Sequence, residues 1–375
     1  MGKNLDGQTW QTNMLTSSDL RSDLRELSLR LRESVKLDHL FALTDANAVL
    51  QHATYSLPAK REGYTVDDNA RGLVFAAKAQ SLWPSERLTE LQRKLLAFIL
   101  LMQADDGKLH NLMDFSQRFI DKPTVGDHLG RAIWSAGAVI NSEVSNGIKK
   151  PARQIFDRAL PWGASAEFLR TKAYTCLGLN ERLQAEPDDQ NLVQNLEKLA
   201  NDLLQQYEKC RDHEWHWFED TLTYDNARLS QALFGAYQAL KNKSYLEAAE
   251  ESLAFLIQAT TIDGRHAPIG NSGWYSKRGK AALYDQQPVD AGAMVETSAL
   301  AYRLTGKSLY ENAFRQALGW FYGENTRSVA VYDGTSGGCY DGITPAGLNE
   351  NQGSESTISF LLAATTAIEN LGQNT

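Results

Sequence analysis

The sequence predicts an all-α fold, a closed (α/α)6 barrel in which six helical hairpins form one domain of 375 residues. Three observations predict it. A hydrophobic period of 3.6 residues dominates the chain, and the strict alternation that is typical of strands is scarce. Two kinds of helical segment alternate six times. The connections between them alternate between short and long.

The first kind of segment is amphipathic and charged, as in LRSDLRELSLRLRESVKL and QNLEKLANDLLQQYEKC. Such helices have one polar face and belong on an outer layer. The six segments of this kind lie near residues 18–42, 84–103, 148–160, 190–210, 244–259 and 307–322.

The second kind consists almost entirely of small and apolar residues, as in AIWSAGAVI and ISFLLAATTAI. A helix that is apolar nearly all round is buried, so these segments form the inner layer. The last inner helix is as apolar as the others, whereas an open solenoid would need a polar capping repeat. A closed ring is therefore expected. The inner segments lie near residues 69–82, 128–142, 165–180, 226–241, 289–305 and 354–370.

The loops that lead from an outer to an inner helix are long, and the loops that lead back are short. In a ring of hairpins the long loops all emerge at one end, beside the N-termini of the inner helices. Function concentrates in long loops on a rigid scaffold, so this mouth is the predicted functional end. The long loops cover residues 44–68, 104–127, 210–225, 260–288 and 323–353.

Composition narrows the possible partners. The formal net charge of −8 and the lack of a basic run argue against a nucleic-acid partner. No linker divides the chain, so one domain is expected over 1–375, with residues about 1–17 as a poorly structured extension. No secretion signal and no run of 18 apolar residues is present, which predicts a cytoplasmic protein with no membrane partner. The three cysteines lack metal-ligand spacing, so no metal is expected. No Walker loop and no dinucleotide fingerprint is present, so no cofactor is expected.

Every inner helix begins beside at least one carboxylate, which brings six or more acids to the mouth. The tetrapeptide Asp-Asn-Ala-Arg occurs twice, at 68–71 and 225–228. Helix capping is the alternative explanation, because Asp is a preferred N-cap and suits the helix dipole. The catalytic candidates are Asp68, Glu355, Asp127, Asp285 and Asp341.

Capping does not explain the aromatic and amide residues that accompany these acids. Sugars present C–H faces to aromatic rings, and their hydroxyls pair with carboxylates, amides and arginines. The pattern therefore favours a saccharide site. The substrate-binding candidates are Asp67, Arg71, His128, Arg131, Trp134, Tyr224, Asp225, Arg228, Trp274, Tyr275, Gln286, Gln287 and Tyr340.

Four stretches carry a family resemblance: REGYTVDDNAR, VGDHLGRAIWSAG, LYDQQPVDAGAMVETSALAYRLTG and GGCYDGITPAGLNENQGSEST. Through them the chain resembles a bacterial six-hairpin, glycosidase-like (α/α)6 family. Its members stand alone or follow a glycosyltransferase, and are often labelled glycosyltransferase or glycosidase-like. The resemblance implies sugar chemistry and, as a candidate partner, a glycosyltransferase or a mannoside-processing enzyme. The chain itself has no Rossmann-type halves for a sugar nucleotide.

Three functions remain open at this stage. The first is an inverting glycoside hydrolase acting on an oligosaccharide, with mannose-containing ones included. It needs a carboxylic acid and a carboxylate base about 6.5–9.5 Å apart, and Asp68 and Glu355 are the favoured residues. The second is a sugar epimerase or isomerase that uses His128, since that chemistry prefers histidine. The third is a non-catalytic saccharide-binding module.

Overall fold

A computed structural model describes residues 24–373. The predicted extension over residues about 1–17 lies outside this range. Thirteen α-helices occur in the described range, and they account for the twelve predicted segments. In chain order they are α1 (Leu24–Ser34), α2 (Asp38–Leu43), α3 (Val66–Ala79), α4 (Glu86–Met102), α5 (Asp127–Asn141), α6 (Asn146–Gly163), α7 (Leu169–Ala185), α8 (Gln190–Cys210), α9 (Ala227–Leu240), α10 (Lys243–Ala259), α11 (Pro288–Thr305), α12 (Ser308–Phe321) and α13 (Ser354–Gln373).

The inner helices close into a ring. Helices α3, α5, α7, α9, α11 and α13 each pack against the next, and α13 packs against α3. Helices α1, α4, α6, α8, α10 and α12 form the outer layer. The predicted (α/α)6 barrel is therefore confirmed, and the open solenoid is excluded.

The two layers differ in burial as the sequence predicts. In the inner helix α5 every residue from His128 to Ile140 is buried. The outer helix α8 buries only one stripe, which includes Leu192, Leu196 and Leu203 at intervals of about one or two turns. No helix within residues 24–373 is long and apolar enough to cross a membrane.

One outer element differs from its prediction. The segment expected as one helix over 18–42 is interrupted at residues 35–37, between α1 and α2. There the backbone N–H of Lys36 donates to the hydroxyl of Tyr332, 3.0 Å away, instead of continuing the helix. A contact with the last long loop thus ends the first helix. No local sequence pattern predicts this contact.

The long loops at the mouth carry twelve short strands. Two antiparallel pairs connect loops that precede successive inner helices: β3 with β4, and β5 with β8. These pairs fix the loops on the barrel rim. The strands are β1 (Ala53–Thr54), β2 (Leu57–Pro58), β3 (Tyr64–Thr65), β4 (Leu112–Met113), β5 (Thr221–Leu222), β6 (Thr261–Ile262), β7 (Arg265–His266), β8 (Tyr275–Ser276), β9 (Tyr332–Asp333), β10 (Gly338–Cys339), β11 (Gly342–Thr344) and β12 (Gly347–Asn349).

Glycines allow α5 and α7 to approach closely. A Cβ atom on Gly137 would lie 2.4 Å from the carbonyl oxygen of Gly178, and one on Gly178 would lie 2.6 Å from that of Ile133. Both obstacles are backbone atoms, which cannot rotate away. Side chains at these positions would push two inner helices apart.

We expect Gly137→Ala and Gly178→Ala each to lower the free energy of unfolding by about 1–3 kcal/mol, as overpacking does in other cores. Urea denaturation followed by circular dichroism measures this. Gly147→Ala is the matched control, because Gly147 is exposed in the first turn of α6 and a Cβ there meets nothing nearer than 3.7 Å. That variant should keep or slightly raise stability. Equal effects at all three positions would contradict the close approach.

Candidate functional site

The N-terminal ends of all six inner helices surround one cavity at the mouth, with a volume of about 460 Å³. Each inner helix contributes a residue from its first turns or from the residues just before it. We call this space the mouth cavity. It is lined by Asp67, Arg71, Gly126, Asp127, His128, Arg131, Phe168, Tyr224, Trp274, Gln287, Val289 and Glu355.

The first turn of α3 separates two consecutive acids. The hydroxyl of Thr65 accepts from the backbone N–H of Asp68 and donates to its carboxylate, at 3.1 and 2.6 Å. This cap turns Asp68 inward, where it is 3% exposed. Asp67, one residue earlier, therefore supplies the carboxylate that lines the cavity.

Asp67 is held by Arg131 of α5, which donates to it directly. The side-chain amide of Asn111 donates a second hydrogen bond at 3.0 Å. Burial alone would raise the pKa of Asp67, but the positive charges of Arg131 and Arg71 outweigh it and hold the pKa below its usual value. Asp67 is therefore suited to accept hydrogen bonds as an ionised group.

Arg71 serves two carboxylates with one nitrogen. Its Nη1 lies 2.9 Å from Oε2 of Glu355 and 3.4 Å from Oδ1 of Asp68. Burial raises the pKa of Asp68 to about 6; Arg71 opposes this and the negative charge of Glu355 adds to it. The side chain of Glu355 is 39% exposed, so it faces the cavity from this cluster.

Asp127 stands on another part of the wall, in the first turn of α5. Its carboxylate accepts from the hydroxyls of Tyr224 and Thr171, at 2.7 and 3.0 Å. Tyr224 also contacts Trp274, with ring centroids 6.4 Å apart. A carboxylate and two partly exposed rings are thus neighbours.

His128 lines the cavity with a defined tautomer. Its Nε2 lies 3.1 Å from the carbonyl oxygen of Leu109. A carbonyl can only accept, so Nε2 carries the proton in the neutral ring and Nδ1 is left as an acceptor. His128 can therefore act as a base without changing its contact with Leu109.

A buried charged layer forms the floor beneath the cavity. Asp225 is fully buried, 3.6 Å from Arg131 and 3.3 Å from Arg228. Arg228 continues to Glu296 at 2.6 Å and lies over the ring of Trp134. Asp225, Arg228 and Trp134 thus support the site from below and do not line it.

The remaining candidates do not line the mouth cavity. Gln286 is fully buried and bonds to Trp320 and Thr326. Tyr275 packs edge-on against Trp215. Asp341 accepts from Ser356 and two asparagines. Asp285 and Tyr340 are partly exposed and do not line the cavity either.

Of the five catalytic candidates, Asp127 and Glu355 line the cavity, and Asp68 reaches it through Arg71. Sequence reasoning missed Phe168, which lines the cavity and is 63% exposed just before α7. A large apolar residue at an inner-helix start was the available signal. It also missed Tyr174, whose hydroxyl accepts from Arg131 and donates to Asp225. Nothing in the surrounding sequence, KAYTC, indicates that this tyrosine contacts the site.

Asp290 is a further buried carboxyl, in the first turn of α11 and 8% exposed. Its Oδ1 lies 3.4 Å from both the backbone and the side-chain nitrogens of Asn226. Burial, and then the negative charge of Asp225, raise the pKa of Asp290 to about 8.

The described residues offer no metal site. No cluster of three or more His, Cys, Asp or Glu side chains among residues 24–373 has an arrangement that could hold a metal ion.

Comparison with known proteins shows the fold. The sequence matches no protein-family model and no curated protein. Several solved structures are similar in three dimensions. A sugar epimerase from a ruminal bacterium is 12% identical, with 93% of this chain and 99% of that chain covered and a TM-score of 0.73.

Two others are similar in the same way. A D-mannose isomerase is 10% identical over 95% of this chain and 99% of its own, with a TM-score of 0.71. An inactive variant of an α-1,6-mannanase of Salegentibacter, in complex with α-1,6-mannotriose, is 13% identical over 93% and 100%, with a TM-score of 0.62. The TM-scores show that these proteins share the toroid fold, and at identities of 10–13% the similarity shows the fold alone.

We expect Asp290→Asn to change how stability depends on pH. The pKa of Asp290 is raised from 3.8 to about 8, so the folded state binds the proton more tightly than the unfolded chain. The stabilisation is complete below about pH 4 and is lost as the pH rises to about 8. In that window the parent should lose stability relative to the variant, by at most about 1.4 kcal/mol per pH unit.

Urea denaturation at a series of pH values measures this difference. Asp333→Asn is the control with the opposite sign. Burial would raise the pKa of Asp333, but hydrogen bonds from Thr335, Ser336 and Gln352 outweigh it and lower the pKa. The stability contributed by Asp333 should therefore be lost at acidic pH. If parent and Asp290→Asn remain parallel from pH 4 to 8, Asp290 is not a buried neutral acid.

Proposed function

We propose that this protein is a carbohydrate-active enzyme, and more specifically an inverting glycoside hydrolase that cleaves an oligosaccharide in the mouth cavity. The observation that carries the proposal is the pairing of two cavity carboxylates from separate inner helices, Glu355 and Asp127, beside the rings of Tyr224 and Trp274. Saccharides need both kinds of partner. Mannose-containing oligosaccharides are the first substrates to test, since one similar fold is a mannanase.

The residues that line the mouth cavity indicate how a saccharide would bind there. Tyr224 and Trp274 offer ring faces for the C–H face of a sugar. Asp67, Arg131 and Gln287 offer charged and amide groups for its hydroxyls. The cavity is open to solvent and lies among the long loops, so a saccharide chain can extend out of it.

Glu355 is the proposed general acid. It shares Arg71 with Asp68, so a single ionised carboxylate is enough to pair with that arginine, and the other can carry a proton. Burial raises the pKa of Asp68 to about 6, so this pair holds a proton at mildly acidic pH, and Glu355 is the member of the pair that faces the saccharide. Asp68, turned away from the cavity, acts as the positioning residue for this acid.

Asp127 is the proposed general base. Helix α3 lies between α13 and α5 in the ring, so Glu355 and Asp127 are held apart, as an inverting reaction requires for its water. In the single step, water attacks the anomeric carbon and gives its proton to Asp127. The glycosidic oxygen leaves with the proton from Glu355.

The similar mannanase adds one more point. It is inactive in a variant with two consecutive aspartates changed to asparagine. This chain also has a consecutive pair at the mouth, Asp67 and Asp68, bonded to Arg131 and Arg71. Asp67→Asn therefore belongs in any set of variants.

We expect Glu355→Gln to lower kcat for oligosaccharide cleavage by roughly 10²–10⁴-fold, because glutamine cannot transfer the proton. Product chromatography on manno- and gluco-oligosaccharides measures cleavage. Glu350→Gln is the matched control, because Glu350 is an exposed glutamate in the mouth loop that precedes α13 and does not line the cavity. Asp68→Asn should change the pH dependence of the rate, since Asp68, whose pKa is raised to about 6, shares Arg71 with Glu355. Full activity in Glu355→Gln would refute the assignment.

A sugar isomerase or epimerase is the second candidate, and the geometry of His128 favours it. Nδ1 is the acceptor nitrogen of a residue that lines the cavity, and histidine is the usual proton carrier for this chemistry. Two of the similar folds are a sugar epimerase and a mannose isomerase.

Turnover in D₂O separates the candidates. For the hydrolase we expect new reducing ends, no deuterium on the carbon atoms of the product, and cleavage retained in His128→Gln. Mass spectrometry and proton NMR of the products measure this. Deuterium incorporation that disappears in His128→Gln would establish the isomerase instead. Binding without any turnover would leave the chain as a saccharide-binding module.

A further inference from the structure

A second polar cavity lies at the opposite end of the barrel, and the proposed hydrolysis does not use it. Its volume is about 400 Å³ and all six inner helices line it with residues from their central and C-terminal turns. We call it the rear cavity. It is lined by Lys78, Trp134, Asn141, Leu177, Asn180, Glu181, Gln184, Gln231, Gly235, Gln238, Glu296, Leu300, Arg303, Thr366 and Glu369.

Five side-chain amides line this cavity, from Asn141, Asn180, Gln184, Gln231 and Gln238. An amide offers both donors and acceptors and carries no charge. Such a concentration inside a barrel of apolar helices is unusual, because polar groups there need partners.

The charged groups of the rear cavity compensate one another. Lys78 lies 3.1 Å from Glu181, and Glu296 lies 2.6 Å from Arg228. Glu369 and Arg303, also on the wall, carry opposite charges. Each carboxylate on the wall has a basic neighbour, Arg228 beneath the wall included, so no unpaired charge is left to select an ion and the wall suits a neutral ligand.

Two amides of the wall have hydrogen-bonding groups that no protein group uses. In the described part of the chain, both polar atoms of the Asn180 side chain are buried and lack a hydrogen-bond partner. Gln231 is 8% exposed and uses its oxygen to accept from Arg228, at 2.7 Å. Its NH₂ group therefore remains to donate. Unpaired buried amides are costly unless a ligand or water satisfies them.

A glycine makes room for Asn180. A Cβ on Gly235 would lie 2.2 Å from the amide nitrogen of Asn180. Glycine in the middle of α9 costs about 1 kcal/mol relative to alanine. Its presence lets the amide lie against the α9 backbone at the cavity wall.

The floor described above separates the two cavities. Arg228 and Trp134 lie between Asp225, below the mouth, and the rear wall. Trp134 lines the rear cavity and is only 2% exposed. A ligand in one cavity therefore cannot be the ligand in the other.

We propose that the rear cavity is a second saccharide site, which binds a neutral, hydroxyl-rich ligand of monosaccharide size. The amides and paired carboxylates accept and donate to its hydroxyls, and Leu177, Leu300 and Trp134 contact its C–H groups. The proposal does not depend on hydrolysis at the mouth.

Equilibrium dialysis with radiolabelled D-glucose and D-mannose tests it on the full chain. Trp274→Ala weakens the mouth cavity and should leave one molar equivalent bound. Asn180→Leu, which keeps the volume but removes the amide, should weaken that equivalent at least tenfold. Asn195→Leu, at a partly exposed position on the outer helix α8, is the matched control and should bind like the parent.

The outcomes separate cleanly. An equivalent that Asn180→Leu removes and Trp274→Ala retains supports the rear site, whether or not the protein cleaves oligosaccharides. Binding lost in Trp274→Ala, binding unaffected by Asn180→Leu, or no sugar bound at all would overturn it. Inorganic phosphate that competes with the sugar would also overturn it, because the cavity would then be an anion site. Circular dichroism checks that Asn180→Leu folds; if it does not, Gly235→Ala, which displaces the same amide, replaces it.

Discussion

A run of oppositely charged side chains crosses the barrel axis, from Asp67 through Arg131, Asp225 and Arg228 to Glu296. Charges buried among apolar helices are tolerated only when each has a partner, since removing one partner typically costs about 3–5 kcal/mol. Each charge inside this run has neighbours of opposite sign, and the two carboxylates at its ends each line a cavity. The axis can therefore be polar without disrupting the core.

The same contacts join the inner helices to one another. Arg131 joins α5 to α3 through Asp67 and to α7 through the hydroxyl of Tyr174. Tyr174 in turn donates to Asp225, just before α9, and Arg228 joins α9 to α11. Hydrophobic packing brings the six helices together without choosing their rotation, whereas these directional bonds specify it. The charged layer between the two cavities therefore determines the shape of both.

The fold could be predicted because it depends on a repeated pattern. Six alternations of apolar and amphipathic segments leave few arrangements other than a ring, and the mouth follows from the loop lengths. What escaped prediction depends on single tertiary contacts. The hydroxyl of Tyr332 ends the first helix early by taking the N–H of Lys36, and the inward cap at Thr65 decides that Asp67, and not Asp68, lines the cavity. Which of two neighbouring acids faces a cavity can be predicted only when the exact residue at which the helix starts is known.

The repeated tetrapeptide Asp-Asn-Ala-Arg shows how much of the tertiary structure a local sequence motif can predict. In both copies the arginine pairs with the aspartate three residues earlier, Arg71 with Asp68 at 3.4 Å and Arg228 with Asp225 at 3.3 Å. The second copy begins in a left-handed turn, with φ of 49° at Asp225, whereas Asp68 lies within its helix. The guanidinium groups of the two arginines consequently reach different ends of the barrel. Arg71 extends to Glu355 at the mouth, and Arg228 extends to Glu296 at the rear. The same tetrapeptide thus borders both cavities, and the backbone conformation at its first residue, which the motif does not encode, differs between the two copies.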